Sequence, residues 1–325
     1  MAGGLQLARD PMAGNDDGLR RLAMKYITID IGGTAIKHGI ATAQGRFVQQ
    51  GETASPARQG AEKLVAAVCD IVRDYEARLG KELGGVAIDT AGIVEPGAQG
   101  RVIFAGESSF PGYTGMALAQ CIREQCQLGD LPLYIENDVN AAALGEYWLG
   151  AARGAASVFM LTVGTGLGGA LLRHGRVWHG AGGSAGEIGQ IPLPDGTGTL
   201  ETRASVSGLL QSVAAARHVD AGTLSGRQIF AEAAAGDAVA AAAIAEMLDY
   251  LAQALALVCC IVNPELIVLG GGIMAREAYI RPRLTQRLAE RVAPAMRAGT
   301  RLAFAGLGNQ AGQLGALYAL LHDRH

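Results

Sequence analysis

The sequence predicts an α/β fold that is internally duplicated, with two lobes around a cleft. Two stretches support this, because each is an apolar, β-rich run that turns through glycines and returns as a second strand: residues 26–40 and 157–172. They lie in separate halves of the chain, and strand and helix patterns follow each of them. A chain of 325 residues has the length of about two domains, each able to bury its own core.

The first glycine hairpin places a carboxylate, Asp30, at the end of its opening strand. Its turn contains Gly32 and Gly33, and glycines let backbone N–H groups approach an anion such as phosphate closely. A carboxylate next to a phosphate requires a divalent cation between them. We therefore predict a nucleotide-phosphate hairpin with a metal-organising aspartate. An ordinary glycine hairpin with Asp30 as a turn residue is the alternative.

The second glycine hairpin matches the GxGxxG spacing through Gly164, Gly166 and Gly169. That spacing is typical of dinucleotide-binding folds, where the turn opens a helix. Here residues 170–177 have the pattern of a returning strand instead, and no GKS or GKT of a P-loop occurs in the chain. The segment is thus a hairpin of the same design as the first. Two such hairpins facing each other across a cleft would hold opposite ends of a polyphosphate.

Asp138 follows a short predicted strand, 133–136, and precedes a predicted helix, 139–149. Open α/β sheets bind ligands at the carboxyl ends of their strands, so this position suits a functional carboxylate. The alternative is that Asp138 only caps the helix. The neighbouring Asn137, whose amide can hydrogen-bond a hydroxyl, favours a ligand site.

Other candidate residues lie in glycine-rich turns of the second half. Glu187 is surrounded by small residues in 180–191 and can accept hydrogen bonds from a polyol, unless it is only a loop carboxylate. Glu201 precedes a predicted helix, 205–217. A predicted strand, 265–269, enters a third close-approach turn, Gly270 to Gly272.

The remaining elements are predicted from apolar periodicity. They are a strand at 46–50, a helix at 61–79, a strand at 86–92, a loop at 101–115, a helix at 116–127, a long Ala-rich helix at 237–262 and a terminal helix within 306–321. The glycines at the head of the terminal helix predict tight packing near a hinge.

Composition excludes several classes of protein. Hydrophobic residues at 50% and charged residues at 18% are typical of a soluble globular chain. A net charge of -3 gives no basic footprint for nucleic acid. The five cysteines form no CxxC pair, which predicts buried thiols in a reducing cytosol. Residues 1–24 lack the apolar core of a signal peptide and are predicted to be a flexible leader. Polar residues interrupt the most apolar stretch, so no membrane span is predicted.

Four motifs, in order along the chain, resemble the repressor, open reading frame and kinase (ROK) group of sugar kinases, within the actin-like ATPase superfamily and its ribonuclease H-like fold. Residues 30–34 resemble the first phosphate motif, 136–143 the segment with the catalytic aspartate, 162–169 the second phosphate motif and 270–273 the adenosine turn. The match runs from about Lys25 to the C-terminus, and the ordered set is far more specific than any one motif.

The resemblance implies a two-lobed kinase that closes on ATP–Mg²⁺ and a hexose, with one lobe at 25–137 plus 304–325 and the other at 138–303. Asp138 would be the general base for the sugar's hydroxymethyl group. Asn137, Glu187 and Glu201 would contact sugar hydroxyls, and Asp30 would hold Mg²⁺ through water. The residues implied in binding the nucleotide are Asp30, Gly32, Gly33, Thr34, Lys37, Gly164, Thr165, Gly166, Gly168, Gly270, Gly271 and Gly272.

The chain departs from the family pattern at two places. The family follows its Gly-Glu-Ile-Gly motif with a histidine and a cysteine-rich zinc loop, whereas this chain has Gln190 and then 191–200 without a cysteine. No zinc site is therefore expected. Ser109 stands where many glucokinase-like members have asparagine. Both Ser109 and Gln190 are candidate sugar contacts, and both changes make a β-glucoside or another hexose or amino sugar as plausible an acceptor as glucose.

The family also contains sugar-responsive transcriptional repressors. These need a DNA-binding module ahead of the first hairpin, and the 24 residues before Lys25 are too few for one. A nucleotide-binding protein without catalysis is disfavoured because Asp30 and Asp138 are both present. The prediction is thus a cytoplasmic sugar 6-kinase that binds neither nucleic acid nor membranes, and a homodimer by the general preference for symmetric pairs.

Overall fold

The computed structural model describes residues 22–96 and 99–322. Within these ranges the chain forms ten α-helices and twelve β-strands. It divides into two compact units, 22–136 with 316–322 and 137–315. The predicted division had residues 304–325 in the first lobe. Residues 304–315 lie in the second unit instead, because the last strand, Arg301–Phe304, pairs within the sheet of that unit.

The first unit is built on a five-stranded sheet. Its strands are β1 (Lys25–Ile31), β2 (Ala35–Thr42), β3 (Phe47–Ala54), β4 (Leu83–Thr90), β5 (Ile93–Val94), β6 (Val102–Phe104) and β7 (Leu133–Asn137), and its helices are α1 (Ala61–Leu79) and α2 (Leu118–Cys126). The sheet has the order β3-β2-β1-β4-β7, while β5 and β6 form a separate antiparallel pair. Strands β1, β2 and β3 are antiparallel neighbours, and β4 is parallel to β1.

The second unit has its own five-stranded sheet and most of the helices. The strands are β8 (Ser157–Val163), β9 (Leu167–Arg173), β10 (Arg176–Val177), β11 (Leu266–Gly270) and β12 (Arg301–Phe304). The helices are α3 (Asp138–Leu149), α4 (Leu200–Ala204), α5 (Val206–Arg217), α6 (Gly226–Ala234), α7 (Ala238–Ile261), α8 (Glu277–Arg291), α9 (Pro294–Arg297) and α10 (Ala311–His322). The boundary between the units falls inside α10, between Gly315 and Ala316.

The two sheets repeat one topology. The second has the order β10-β9-β8-β11-β12, with β8 and β9 antiparallel and β11 parallel to β8 on its other side, as β4 is parallel to β1. Each opening hairpin joins its strands through three residues, 32–34 and 164–166. The duplication predicted from the two glycine hairpins is confirmed.

Each unit has a core of its own. In α1 the buried residues recur at helical spacing, with Leu64, Val68 and Val72 among them, and they form one cluster with the isoleucines of β1. This is the periodicity that predicted the helix, and its bounds are those expected. In the second unit α7 supplies the largest share of the core, with buried residues on successive turns along its whole length.

Helix α7 is long and apolar enough to cross a membrane when length and composition alone are considered. About half of its most apolar segment is buried inside the protein, where Leu248, Leu251 and Leu255 belong to the core of the second unit. Core packing therefore accounts for its apolar character. In the described part of the chain, this is the one helix that meets the criterion.

Helices α3 and α10 cross at two glycines within the second unit. A Cβ atom at Gly145 would collide with the carbonyl oxygen of Ala311, and one at Gly315 with that of Ala141. Backbone contact of this kind is possible only where both surfaces lack side-chain atoms. The tight glycine packing predicted for the terminal helix is thus present.

Some local predictions need correction. The segment 101–115 is not entirely loop, since β6 pairs with β5. The cysteines are free, but of the five predicted to be buried, Cys121 is only partly buried and Cys260, next to the last residue of α7, is exposed. Of the predicted leader, residues 1–21 lie outside the described residues.

Candidate active site

The first glycine turn closes on its own backbone. The N–H of Gly32 donates to the carbonyl oxygen of Ala35 at 3.1 Å, and a Cβ at Gly32 would lie only 2.8 Å from that oxygen. The ring of Phe110 lies 3.7 Å from the position that a Cβ of Gly33 would take. The turn therefore needs glycine at Gly32 for space and presents an uncovered backbone beside the exposed Thr34.

A row of charged side chains lies across the sheet just before this turn. Asp30 is the register partner of Lys37 in β2 and of Asp89 in β4. The Nζ of Lys37 lies 3.0 Å from Oδ2 of Asp30, while Asp89 is buried. Burial lowers the pKa of Lys37, but the charge and hydrogen bond of Asp30 outweigh it, helped by Asp89 and Glu52, so the pKa is raised overall. The row thus combines a stable ammonium with carboxylates.

The second turn has the same length as the first, but its closing hydrogen bond and its surroundings differ. The N–H of Gly164 donates to the carbonyl oxygen of Gly166 at 3.0 Å. No atom lies within 4 Å of a Cβ placed at Gly164, so the face of the turn at this residue is open. A Cβ at Gly168 would lie 2.6 Å from Cγ2 of Val139, in the first turn of α3. Glycine at Gly168 therefore lets α3 approach the hairpin.

The third glycine turn, Gly270 to Gly272, ends β11 against the end of β8. Gly271 has φ +101°, and a Cβ there would collide with the backbone of Val163. This conformation and this contact both require glycine. The turn is thereby held beside the second glycine turn, which follows Val163 directly.

A cavity of about 310 Å³ opens between these two turns, within the second unit. It is lined by Gly164, Thr165, Val206, Gly226, Arg227, Phe230, Gly272, Ile273 and Arg276. The structure thus brings together the predicted phosphate turn and the predicted adenosine turn. Glycine backbone, apolar side chains and two exposed guanidinium groups suit a ligand with a flat apolar part and an anionic part.

Five of the lining residues were not predicted from the sequence. They are Val206, Gly226, Arg227, Phe230 and Arg276. Arg276 ends the short 3₁₀ helix that begins at Gly272. Its closeness in sequence to the glycine turn could therefore have marked it as a cavity residue. Arg227 and Phe230 lie on α6, where no motif marks them, and only the tertiary fold brings them to the cavity.

Asp138 is the first residue of α3, and Asn137 is its N-cap. The side-chain oxygen of Asn137 accepts hydrogen bonds from the N–H groups of Val139 and Asn140, both at 2.9 Å. The N-cap is therefore Asn137, and Asp138 occupies the first helical position beside it. Oδ1 of Asp138 itself accepts from Nδ2 of Asn137 and from the N–H of Val139, each at 2.9 Å. The carboxylate is half-buried, and two N–H donors orient it at a helix N-terminus.

Two further carboxylates of the second unit interact through their charges. Burial raises the pKa of Glu187, and the charge of Glu201 raises it further. Oε2 of Glu201 accepts a hydrogen bond from the N–H of Leu167 at 2.9 Å. Glu201 therefore touches the residue that follows the second glycine turn, a contact that the sequence did not predict.

The remaining candidates, Gln190 and Ser109, are exposed. Ser109 directly precedes Phe110, whose ring lies against Gly33, so it belongs to the surroundings of the first turn. Gln190 ends a short 3₁₀ helix, Ile188–Gln190, that follows Glu187. Their contacts with a sugar stay predictions.

Comparison with known proteins identifies the family. The model of the ROK family matches residues 26–324. The chain belongs to the ROK family. A glucokinase of Halalkalibacterium halodurans is 31% identical over 89% of this chain and 93% of its own length. The resemblance predicted from the four motifs is confirmed.

Solved structures of other ROK proteins have the same fold. A ROK hexokinase from Thermus thermophilus superimposes with a TM-score of 0.74 at 28% identity, covering 91% of this chain and 97% of its own. A ROK glucokinase from Streptomyces griseus, in complex with glucose and AMPPNP, gives a TM-score of 0.75 at 29% identity, with 90% and 98% covered. The predicted fold class, that of the actin-like ATPases, is confirmed.

Proposed function

We propose that this ROK-family chain transfers the γ-phosphoryl group of ATP to the 6-hydroxymethyl group of a hexose or hexoside, with Asp138 as the general base. The class of enzyme, an ATP-dependent sugar kinase, follows from the family and from the kinase names of its relatives. The finer assignment is supported chiefly by the geometry at Asp138, whose carboxylate is oriented by two N–H donors where β7 passes into α3.

Asp138 would take the proton of the sugar hydroxyl while that oxygen attacks the γ-phosphorus and ADP leaves. A general base must hold its lone pair in a defined direction. The donors on Oδ1, Nδ2 of Asn137 and the N–H of Val139, restrict the rotation of the carboxylate. Phosphoryl transfer otherwise needs positioning and charge neutralisation rather than covalent chemistry from the protein.

ATP would occupy the cavity of the second unit, with its phosphates at Gly164 and Thr165. The cavity is supported as the nucleotide site by its lining of two glycine turns with Ile273 and Phe230 on the apolar side. Its volume of about 310 Å³ lies at the lower end of the range for small-molecule sites, which suits a partly exposed nucleoside. Arg227 and Arg276 would add positive charge for the phosphates or stack on the base.

Mg²⁺ fits the first turn. Magnesium in kinases keeps several waters and binds through one or two carboxylates together with substrate phosphates, not in a cage of protein ligands. Asp30 offers such a carboxylate at the end of β1, and the described residues contain no group of three acidic, histidine or cysteine ligands. Asp30 would hold the ion through water, and the ion would neutralise charge on the phosphates. Lys37, paired with Asp30, would add a fixed positive charge nearby.

Zinc does not fit the segment 191–200. It contains neither cysteine nor histidine, and Asp195 is its sole acidic residue. Asp195 accepts hydrogen bonds from the N–H and hydroxyl of Thr197, at 3.0 and 2.8 Å. A structural zinc ion needs four nitrogen or sulfur ligands of the usual kind, so no role is assigned to zinc.

The acceptor is a sugar whose hydroxyls would meet Asn137, Glu187 and Glu201, with Gln190 and Ser109 at the positions that distinguish this chain from glucokinase-like members. Their replacements change hydrogen-bonding groups, and a changed group alters sugar selection strongly. A β-glucoside is therefore proposed beside free hexoses. A cytoplasmic homodimer that binds neither nucleic acid nor membranes completes the proposal.

The test is a coupled assay of ADP release across glucose, mannose, N-acetyl sugars, fructose, allose and cellobiose. The wild type should release ADP with at least one of them, and no release above background with any would overturn the proposal.

Asp138→Asn should reduce kcat by about 10³-fold or more, since the base is lost. AMPPNP should still bind with little change. The exposed Asp130→Asn is the matched control and should behave as the wild type. Activity of Asp138→Asn within a few-fold of the wild type would reject Asp138 as the base.

A further inference from the structure

Glu201 holds the backbone of the second glycine turn. It is the second residue of α4, and its Oε2 accepts from the N–H of Leu167 at 2.9 Å. Leu167 is the first residue of β9 and follows Gly166 directly. A Cβ at Gly166 would collide with the same carboxylate oxygen, so the glycine leaves the space that Glu201 fills. The carboxylate is thus fitted to the turn on two adjoining residues.

The other end of the turn is held by the same segment of chain. The N–H of Val206, at the start of α5, donates to the carbonyl oxygen of Gly164 at 2.9 Å. Residues 201–206 therefore hold the turn through Gly164, its first residue, and through Leu167, the first residue after it. A turn held at both ends keeps its N–H groups in one arrangement without a ligand, and preorganised donors bind developing charge best.

The loop that carries Glu187 rests on the same residue. A Cβ at Gly189 would collide with the carbonyl oxygen of Leu167, so this loop packs directly on the backbone of β9. Leu167 consequently contacts Glu201 through its N–H and the Glu187 loop through its C=O. Glu187 and Glu201, the two carboxylates proposed to bind the sugar, are thus both positioned by contacts with Leu167, next to the predicted phosphate turn.

Glu201 directly follows a hairpin formed by residues 191–200, the segment where other family members have the cysteine-rich zinc loop. The N–H of Leu193 donates to Gly198 O at 2.8 Å, and that of Leu200 donates to Ile191 O at 2.9 Å. Leu193 and Leu200 are both buried in the core of the second unit. These hydrogen bonds and buried leucines fix the position of Glu201 next to the turn.

We propose that Glu201 is a positioning residue for the phosphate donor: by accepting the N–H of Leu167 it sets the shape of the turn Gly164 to Gly166. This rests on the proposed kinase function and deepens it. A residue whose one role is to bind a sugar hydroxyl would act on the sugar instead.

The two roles are separated by Glu201→Gln and Glu201→Ala, with the exposed Glu62→Gln as control. Glutamine keeps a carbonyl oxygen for the N–H of Leu167, whereas alanine leaves that N–H without its acceptor. We expect Glu201→Ala to raise the KM for ATP about tenfold or more, with a smaller change in the KM for the sugar. Glu201→Gln should restore the KM for ATP to within about threefold of the wild type.

Two measurements keep the inference testable without turnover: the dissociation constant of AMPPNP and the hydrogen exchange rate of the Leu167 amide. Both should rise about tenfold or more in Glu201→Ala and recover in Glu201→Gln. If Glu201→Ala raises the KM for the sugar alone and leaves AMPPNP binding and Leu167 exchange unchanged, the inference is overturned. A wild type that phosphorylates no sugar would refute the proposed function, while these two measurements would still decide the role of Glu201.

Discussion

The two glycine hairpins share a strand topology and a turn length, and they differ in the side chains that they carry. Asp30, Lys37 and Asp89 form one register row across β1, β2 and β4. The equivalent row across β8, β9 and β11 is Thr162, Gly168 and Gly270. The first row carries three charged side chains, whereas the second carries one hydroxyl and two glycines.

Under the proposed function, the two hairpins would contribute different groups to phosphate binding. In the first unit, charge comes from side chains within the sheet, where Lys37 and Asp30 pair at 3.0 Å. In the second, two of the three row positions are glycines. Gly168 leaves space for Val139 of α3, and Gly270 leaves space for Met160. The charge near that turn comes from outside the sheet, from Glu201 of α4 and from Arg227 and Arg276 at the cavity. One hairpin offers charged groups, and the other offers accessible backbone.

The largest effect should come from removing the side chain at the matched positions Asp30 and Thr162. Asp30→Ala removes the carboxylate proposed to organise Mg²⁺ and leaves Lys37 unpaired, so kcat/KM for ATP should fall about 10²–10³-fold. Thr162→Ala, its equivalent in the second hairpin, should lower it less than about tenfold, because Oγ1 of Thr162 carries no charge and donates a long hydrogen bond to the Gly168 carbonyl oxygen, at 3.4 Å. The measurement is the ATP dependence of ADP release at several Mg²⁺ concentrations. Equal losses of kcat/KM in both variants would contradict the proposed difference between the two hairpins.

The next effect concerns stability at the matched positions Lys37 of β2 and Gly168 of β9. Gly168→Ala places a methyl group 2.6 Å from Val139 Cγ2 and should lower the free energy of unfolding by about 1–3 kcal/mol. Lys37→Ala removes an ion pair whose lysine side chain is 35% exposed, and water screening limits its loss to less than about 1 kcal/mol. Urea unfolding of both variants checks the order. A larger loss for Lys37→Ala would show that the charged row, rather than close packing, dominates stability.

The smallest effect is a pH dependence near the second turn. Burial, and then the charge of Glu201, raise the pKa of Glu187, so the folded state binds its proton more readily than the unfolded state does. Ionised Glu187 therefore destabilises the fold above its raised pKa, and this disappears below the ordinary carboxyl pKa of about 4.3.

Glu187→Gln should accordingly raise the free energy of unfolding at about pH 7 by up to about 1 kcal/mol, with a smaller gain near pH 4. Urea unfolding at both pH values, with the exposed Glu62→Gln as control, measures it. A gain that grew toward acid would contradict the assignment.

Local pattern was enough to predict much of this molecule. The helix Ala61–Leu79 has the bounds expected from its apolar spacing, and both hairpins form because each strand–glycine–strand unit is specified within some fifteen residues. The strand β3 was also expected, although it runs on to Ala54. These elements are short-range, so their sequence contains most of the information that forms them.

Elements that depend on distant partners were missed. Strands β5 and β6 are too short to show a period, and α8 carries an internal proline, Pro282, on a largely polar sequence. At the site, the contact between Glu201 and Leu167 spans 34 positions, and Arg227 reaches the cavity only through the placement of α6. The N-cap illustrates a finer limit, because Asn137 and Asp138 are both good caps and only backbone geometry chooses between them.

The crossing of α3 and α10 affects how a saturation-mutagenesis map of this protein should be interpreted. Gly145 and Gly315 each face a carbonyl oxygen where even one added carbon collides. In a growth selection both should tolerate substitution as poorly as Asp138, although neither carries a reactive group. Scoring soluble yield beside growth would separate the two glycines, whose variants should lose folded protein, from Asp138, whose variants should fold and lose only the proposed activity.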